Sequence, residues 1–238
     1  MRFIRNILLL LIPALLLASQ AYAHHLWVMK ADDGYVVARG ILSERIDAYN
    51  PDCVKEVKAY SAEGTELAIQ RIDEKDRVVF KSETPVAMAT VTSKWGHRVN
   101  TTKGKKFMTR KEAQKQGLDV LDAFFSTHYA KSLIHPVSPV GKSVGMKFEI
   151  VPLEDPFQVV PGAEVPFKLL FDGEPLAGSS MFTADGQKTQ TDEKGIARIP
   201  MSKNDGLLIY SRHRIDLENR EDLDYLIFTT FLTFEARP

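Results

Sequence analysis

Short apolar segments alternate with polar turns along most of the chain that follows residue 24. Their valine, isoleucine, phenylalanine and tyrosine residues are typical of β-strands, and Gly-containing dipeptides separate the later segments at the spacing of a sandwich. The segment 123–129 is rich in β-branched and aromatic residues and is also predicted to be a strand. The other predicted strands span 35–38, 57–60, 78–80, 86–91, 146–151, 165–171, 197–201, 207–210 and 225–231.

One short helix is predicted inside this β pattern. Thr109 and Glu112 have the spacing of a capping box, in which each side chain bonds the backbone N–H of the other residue. Gly117 is a suitable end for this helix after about two turns. Strands do not alternate regularly with helices, and no Gly-rich phosphate loop is present, so the predicted fold class is all-β.

A boundary between two units is predicted near residues 136–145, where prolines and glycines cluster between patterned segments. It divides the chain into an N-terminal β domain, 24–140, and a C-terminal β domain, 146–238. Both are predicted to be β-sandwich-like, and the short helix belongs to the first.

Residues 1–23 have the organisation of a cleavable signal peptide. Arg2 and Arg5 precede an apolar run that is shorter than the roughly 20 residues that a spanning helix needs. Ala21 and Ala23 then supply the small residues of a signal-peptidase site. We therefore expect a bacterial protein that is cut after Ala23, exported to the periplasm, and not membrane-spanning in its mature form.

After such a cut the chain begins with His24 and His25. A free amine beside two imidazoles offers nitrogen ligands that lose their protons easily near neutral pH. Two arrangements are open: the amine and imidazole of His24 as a histidine brace, or the amine with the amide and imidazole of His25 in a square plane. Nitrogen ligands in that geometry favour Cu(II) or Ni(II), with copper ahead of nickel in affinity.

Two further histidines are candidates to complete an enclosed metal site. His97 follows Trp95-Gly96, where the glycine allows the backbone to turn and the imidazole to project. His213 lies between two arginines, which would repel a cation unless nearby aspartates neutralise them. The predicted metal ligands are therefore His24, His25, His97 and His213.

The other two histidines and the single cysteine are expected to have structural or solvent positions. His128 lies within the predicted strand 123–129 and is expected in the core, whereas His135 precedes a proline and is expected in solvent. Cys53 cannot form an intramolecular disulfide because no second cysteine exists, and we expect a buried structural thiol.

Composition and motifs narrow the remaining function classes. The chain is 44% hydrophobic and 26% charged, as in ordinary soluble globular proteins. Without the two arginines of the signal segment, 29 basic residues face 31 acidic ones, so nucleic acid is not an expected partner. No HExxH or CxxC motif occurs, and Ser179-Ser180 is preceded by a glycine but lacks the full Gly-x-Ser-x-Gly pattern of a nucleophile elbow. We predict no catalytic residues and no enzymatic activity.

Several segments together resemble one family. They are His25-Leu26-Trp27, Trp95-Gly96-His97 before Thr101-Thr102, and the stretches 149–156, 170–178, 191–195 and 232–234. The chain resembles a family of exported bacterial proteins that contain a domain of unknown function and are often labelled as periplasmic components of nickel or cobalt uptake. The resemblance spans nearly the whole mature chain and is most specific from Phe148 to Gly195.

The resemblance implies an N-terminal β domain joined to an immunoglobulin- or transthyretin-like sandwich. It also implies capture or delivery of nickel or cobalt, with a membrane transporter as partner, while the ligand chemistry alone keeps copper possible. Two alternatives remain: a metal-free structural or interaction module, since a sandwich alone does not decide function, and a copper oxidase with a histidine brace.

Overall fold

The computed structural model of the protein describes residues 24–160, 162–201, 207–218 and 220–234. The predicted signal peptide, residues 1–23, lies outside these ranges. No helix within them is long and apolar enough to cross a membrane.

Strands dominate the described residues, which contain one α-helix, α1 (Arg110–Lys115), and a 3-10 turn at Pro51–Cys53. The strands are β1 (His25–Ala31), β2 (Gly34–Ile41), β3 (Arg45–Ile46), β4 (Val54–Tyr60), β5 (Glu66–Leu67), β6 (Gln70–Asp73), β7 (Val78–Lys81), β8 (Met88–Thr101), β9 (Gly104–Lys106), β10 (Val120–Leu133), β11 (Phe148–Pro152), β12 (Glu164–Phe171), β13 (Glu174–Pro175), β14 (Ser180–Thr183), β15 (Lys188–Gln190), β16 (Ile196–Pro200), β17 (Leu207–Asp216) and β18 (Tyr225–Phe234).

The strands form three sheets. The central sheet has the order β15-β14-β17-β18-β10-β8-β4-β5, with β9 beside β8. Its strands β10 and β18 are parallel, while their other neighbours are antiparallel. A five-stranded sheet has the order β1-β2-β7-β6 with β3 beside β2, and a four-stranded sheet joins β11, β12 and β13 with β16 beside β12.

The central sheet is covered on both faces, as the alternating side chains of β18 show. Phe231 is fully buried in a cluster with Leu26 and Phe80 of the five-stranded sheet. Its neighbour Leu232 is fully buried in a second cluster with Phe148 of the four-stranded sheet. Two sandwich-like cores therefore share one sheet, and the all-β prediction is confirmed.

The predicted helix is also confirmed, together with its cap. The hydroxyl of Thr109 accepts a hydrogen bond from the Glu112 backbone N–H at 3.2 Å, and the Glu112 carboxylate accepts one from the Thr109 backbone N–H at 2.8 Å. The helix ends at Lys115, two residues before Gly117.

The predicted boundary at residues 136–145 lies in the connection between β10 and β11. Because β18 pairs with β10, hydrogen bonds of the central sheet join the two sides of this boundary. The division into 24–140 and 146–238 stays a prediction about how the chain folds.

Candidate functional site

His24 lies directly before β1 with 38% of its side chain exposed. Its Nε2 is 3.0 Å from Oδ2 of Asp47, a residue that follows β3. The Asp47 backbone N–H donates to the carbonyl of Arg39 at 2.7 Å, so the pairing of β2 with β3 fixes this carboxylate beside His24. This is an ion-pair contact: neither ring nitrogen of His24 takes part in a hydrogen bond within the described residues, and Asp47 Oδ2 is among the buried atoms that lack one.

The surroundings of His24 favour the neutral form of its imidazole. Partial burial, followed by the charge of Arg39, lowers the pKa of His24, although Asp47 acts in the opposite direction. A neutral imidazole with one nitrogen directed at a carboxylate and the other unengaged is a suitable metal ligand, because the carboxylate orients the ring.

His25 has a different environment, although it is the next residue. It is the first residue of β1 and is only 4% exposed. Its Nδ1 accepts a hydrogen bond from the Leu42 backbone N–H at 3.2 Å, and its ring lies 6.0 Å from that of Tyr210 and 6.1 Å from that of Phe231. Burial lowers the pKa of His25 to about 4, so the ring is neutral at pH 7 and part of the core.

His97 follows an irregularity in the pairing of β8 with β10. Gly96 and Lys94 face successive residues of β10, which leaves Trp95 as the additional residue of a bulge, and Gly96 has a φ of 75°. A bulge redirects the neighbouring side chains. His97 is half-buried with its ring edge-on to Phe125 at 5.2 Å, and its buried Nδ1 has no hydrogen-bond partner in the described part of the chain.

His213 lies on the other side of the central sheet. Its ring is 4.6 Å from that of Phe171, in the layer of the four-stranded sheet. Tyr210 of the same strand packs in the cluster of the five-stranded sheet, beside His25. The structure therefore brings His24 and His25 to one side of the sheet and does not bring His213 to them.

The remaining residues of the sequence analysis lie as follows. His128 is half-buried between Trp95 and Phe231, whose ring centroids lie 5.8 and 5.5 Å from its own, and burial lowers its pKa to about 3. The predicted core position is therefore only partly met. His135 is exposed, as predicted. Cys53 is half-buried rather than buried, and this partial burial raises the pKa of its thiol.

No group of three or more His, Cys, Asp or Glu side chains converges as a possible metal cage in the described ranges. A metal ion held by His24 would therefore take its other ligands from the main chain, a terminal amine or solvent. That is the composition of an open chelate and not of a closed structural zinc site.

A serine motif that the sequence analysis did not consider lies at residues 141–145, Gly-Lys-Ser-Val-Gly. Its spacing is that of a nucleophile elbow, but Ser143 lies in the connection between β10 and β11, with no helix after it. The Ser143 hydroxyl donates to the Glu149 carboxylate at 2.6 Å, and this bond gives it a structural role.

Asp47 is the site residue that sequence reasoning missed. No local pattern distinguishes it from the other acidic residues, because its position depends on the short pairing of β3 with β2. Asp47 follows a strand of only two residues, which is too short to show a hydrophobic period. The sequence therefore contains no signal that places Asp47 beside His24.

Comparison with known proteins agrees with the resemblance described above. No curated protein and no solved structure is significantly similar to the chain. One family does match, over residues 21–214, which include β1 to β16 and most of β17. The chain belongs to this family, which is described as a domain of unknown function (DUF4198).

Proposed function

We propose that this protein captures a divalent transition-metal ion at the start of its mature chain and supports nickel or cobalt uptake in the periplasm. The metal is its cargo, and a membrane transporter is the partner that receives it. The observation that carries the proposal is the pairing of the partly exposed His24 with Asp47.

The proposal starts from cleavage after Ala23, which exposes an amine on His24 itself. In a histidine brace that amine and Nδ1 of the same residue bind one ion. The contact of His24 with Asp47 supports this arrangement, since Nε2 lies 3.0 Å from the Asp47 carboxylate and Nδ1 takes no part in that contact. The Asp47 carboxylate then orients the ring from outside the coordination sphere.

The environment of His25 argues against the second arrangement. There the imidazole of His25 would be a ligand together with its own amide nitrogen. Its Nδ1 already accepts the Leu42 backbone N–H, and its ring is packed against aromatic side chains. Binding in this way would break the hydrogen bond from Leu42 and draw the His25 ring out of its aromatic surroundings. We therefore propose His24 as the primary ligand.

The remaining candidates have secondary roles in the proposal. Among the internal histidines we propose His97 as the further ligand, since its buried Nδ1 has no hydrogen-bond partner among the described residues. His213 packs against Phe171 in the other layer, and we do not propose it as a ligand to the same ion.

The test is titration of processed protein with Ni(II), Co(II) and Cu(II), with the mass confirming His24 as the first residue. We expect stoichiometric binding that weakens at least tenfold, about 1.4 kcal/mol, when one alanine is added before His24. The ion bound most tightly identifies the cargo, and nitrogen ligands by themselves rank copper above nickel.

Three variants assign the ligands. His24→Ala is expected to weaken binding as much as the added residue does, and Asp47→Asn by about 10- to 100-fold through loss of ring orientation. His135→Ala is the matched control, because this histidine is exposed and remote from β1 in sequence. Equal binding by the native and extended chains would overturn the proposal. Absence of binding to either would favour the metal-free interaction module.

The proposal is for binding without catalysis. A copper oxidase with a histidine brace is the enzymatic alternative, and oxygen consumption with copper and a reductant separates the two. We expect no consumption above that of the alanine-extended chain.

A further inference from the structure

A shallow cavity of about 520 Å³ lies beside the bulge of β8. Its wall includes Arg39, Tyr49, Cys53, Trp95 and Arg98. This volume lies within the range of small-molecule sites in proteins, about 300–1,000 Å³. His24 and Asp47 lie outside this wall, whereas His97, the secondary metal ligand of the proposed function, lies within it.

Two half-buried guanidinium groups face this cavity without a carboxylate bonded to either of them in the described part of the chain. Arg39 lies over the Trp95 ring, with its Cζ 4.6 Å from the ring centroid. Arg98 donates through Nη1 to the backbone carbonyls of Trp95 and His97, and its Cζ lies 4.0 Å from the centroid of the Phe107 ring. Both cations are therefore stacked on aromatic rings, and the hydrogen bonds of Arg98 go only to neutral carbonyl groups.

This arrangement is electrostatically incomplete. Burial lowers the pKa of Arg98 to about 10, and the neighbouring charge of Arg39 acts in the same direction. Burial also lowers the pKa of Arg39, although the charge of Asp47 partly opposes this. Half-buried cations are normally paired, since removing them from water without a counter-charge is costly. By contrast, the arginines that do form ion pairs within the described residues, such as Arg45, Arg71 and Arg214, are each bonded to an aspartate.

Two more polar atoms in the same wall lack a partner. The Nε1 of Trp95 and the Nδ1 of His97 are buried and make no hydrogen bond within the described residues. Buried polar groups in folded proteins are nearly always bonded. They add to the unmet hydrogen-bonding capacity of the wall that holds the two arginines.

The nearby acidic groups form no direct ion pair with Arg39 or Arg98 in the described residues. The Asp47 carboxylate lies beside His24 and accepts from Arg45 at 2.9 Å. The Glu112 carboxylate, although in the cavity wall, accepts from the backbone N–H and the hydroxyl of Thr109, both at 2.8 Å. The charge of Asp47 acts to raise the pKa of Arg39 against the larger effect of burial, but neither carboxylate is bonded to Arg39 or Arg98 in the described residues.

We propose that this cavity binds a small molecule through an oxyanion group, a carboxylate or a phosphate, held between the guanidinium groups of Arg39 and Arg98. The planar fork of an arginine matches the two oxygens of either group. The stacked rings of Trp95 and Phe107 limit the conformations of both side chains, so that little entropy is lost when the anion binds.

The first measurement is calorimetric titration of the processed, metal-free protein with inorganic phosphate and, separately, with tricarballylate. Sodium chloride at matched ionic strength is the control for non-specific screening. Saturable binding of either anion supports the site, and the tighter of the two identifies the chemical class. A dissociation constant weaker than about 10 mM for both anions would overturn the proposal.

Variants then place the anion. Arg39→Gln and Arg98→Gln are each expected to weaken binding by at least about tenfold, the range of one charge-assisted hydrogen bond. Arg214→Gln is the matched control, since Arg214 is also stacked on a ring, that of Tyr225, but is paired with Asp216 and lies outside the cavity wall. Unchanged binding in both cavity variants contradicts the assignment.

A measurement on the unaltered chain covers the case in which a variant does not fold. Cys53 is the only cysteine and lies in the cavity wall. A bound anion is expected to slow alkylation of Cys53 in proportion to the bound fraction, and sodium chloride is not. An alkylation rate that stays constant across the titration would place the anion elsewhere and overturn the proposal.

Discussion

Lys131 and Glu149 form an ion pair that is almost completely shielded from solvent, with exposures of 2% and 0%. The Glu149 carboxylate also accepts hydrogen bonds from the Ser143 hydroxyl and from the backbone N–H groups of Val144 and Met146. These contacts join β10, β11 and the connection between them. A buried carboxylate with four donors is fully satisfied, so its loss leaves a buried ammonium without a partner.

At this residue scale we predict that Glu149→Gln lowers the free energy of unfolding by about 3–5 kcal/mol, the usual cost of removing one partner from a buried pair. Lys81→Gln, which removes an ion pair with the exposed Asp33, is expected to cost less than about 1 kcal/mol. Urea denaturation of both variants measures the difference. Equal, small effects would contradict the structural role of the buried pair.

The same pair predicts a pH dependence. Burial opposes ionisation of Glu149, but Lys131 and the hydrogen bonds outweigh it and hold the pKa of Glu149 below its ordinary value of 4.5. A lowered pKa means that the stabilisation is complete above pH 4.5 and is lost as the pH falls through the folded-state value. The stability difference between the native chain and Glu149→Gln should therefore shrink on acidification below that pH.

At the scale of elements, α1 and the bulge of β8 are the two interruptions near the candidate sites. The helix has only six residues, so its stability depends on the cap and on contacts with its neighbours. Ala113 is its one buried residue and packs with Val99 and Ala123. Arg110 also pairs with Asp224, whose carboxylate accepts the Ala123 backbone N–H at 2.6 Å.

We predict that Thr109→Ala lowers the free energy of unfolding by about 1 kcal/mol through loss of the N-cap. Thr102→Ala is the matched control, because this exposed threonine caps no helix. Amide hydrogen exchange should show faster opening of residues 110–115 in the Thr109 variant alone. Unchanged exchange there would mean that contacts with β8 and β10 hold the helix without its cap.

At the scale of the whole molecule, the central sheet couples the two sandwich-like cores. Adjacent residues of β18 enter different cores, with Phe231 on one side and Leu232 on the other. The hydroxyl of Ser132 strengthens this connection, since it accepts from the Val28 backbone N–H at 2.8 Å and from the Thr233 hydroxyl at 2.7 Å. It thereby joins β1 to the middle of the central sheet.

We predict one cooperative unfolding transition. Phe231→Ala and Leu232→Ala should both lower the midpoint of this single transition, because each leaves a cavity in a core that shares the sheet. The expected losses of unfolding free energy are about 3–5 and 2–5 kcal/mol respectively. Calorimetry with fluorescence of Trp27 and Trp95 measures this. Two transitions, each sensitive to only one of the variants, would show that the predicted domains 24–140 and 146–238 unfold separately.

The local signals of the sequence determined the fold class, the helix and its cap, and the positions of most longer strands. Thr109 and Glu112 bond each other within one turn, and the alternation of β12 or β18 lies within a single segment. Such features depend on neighbours in sequence, which is why they were predictable. Strands of two or three residues, such as β3 and β9, carry too few residues for a period and were not predicted.

The sequence by itself also singled out His24 and His25 as the residues with the chemistry of a metal ligand. Only the tertiary structure separated them, by directing His24 at Asp47 and burying His25 against Tyr210 and Phe231. It alone brought Arg39 and Arg98 to one cavity and carried His213 to the opposite face of the central sheet. These arrangements bring together residues that are distant in sequence. The register of strand pairing decides on which face of a sheet each side chain lies, and no local pattern encodes that register.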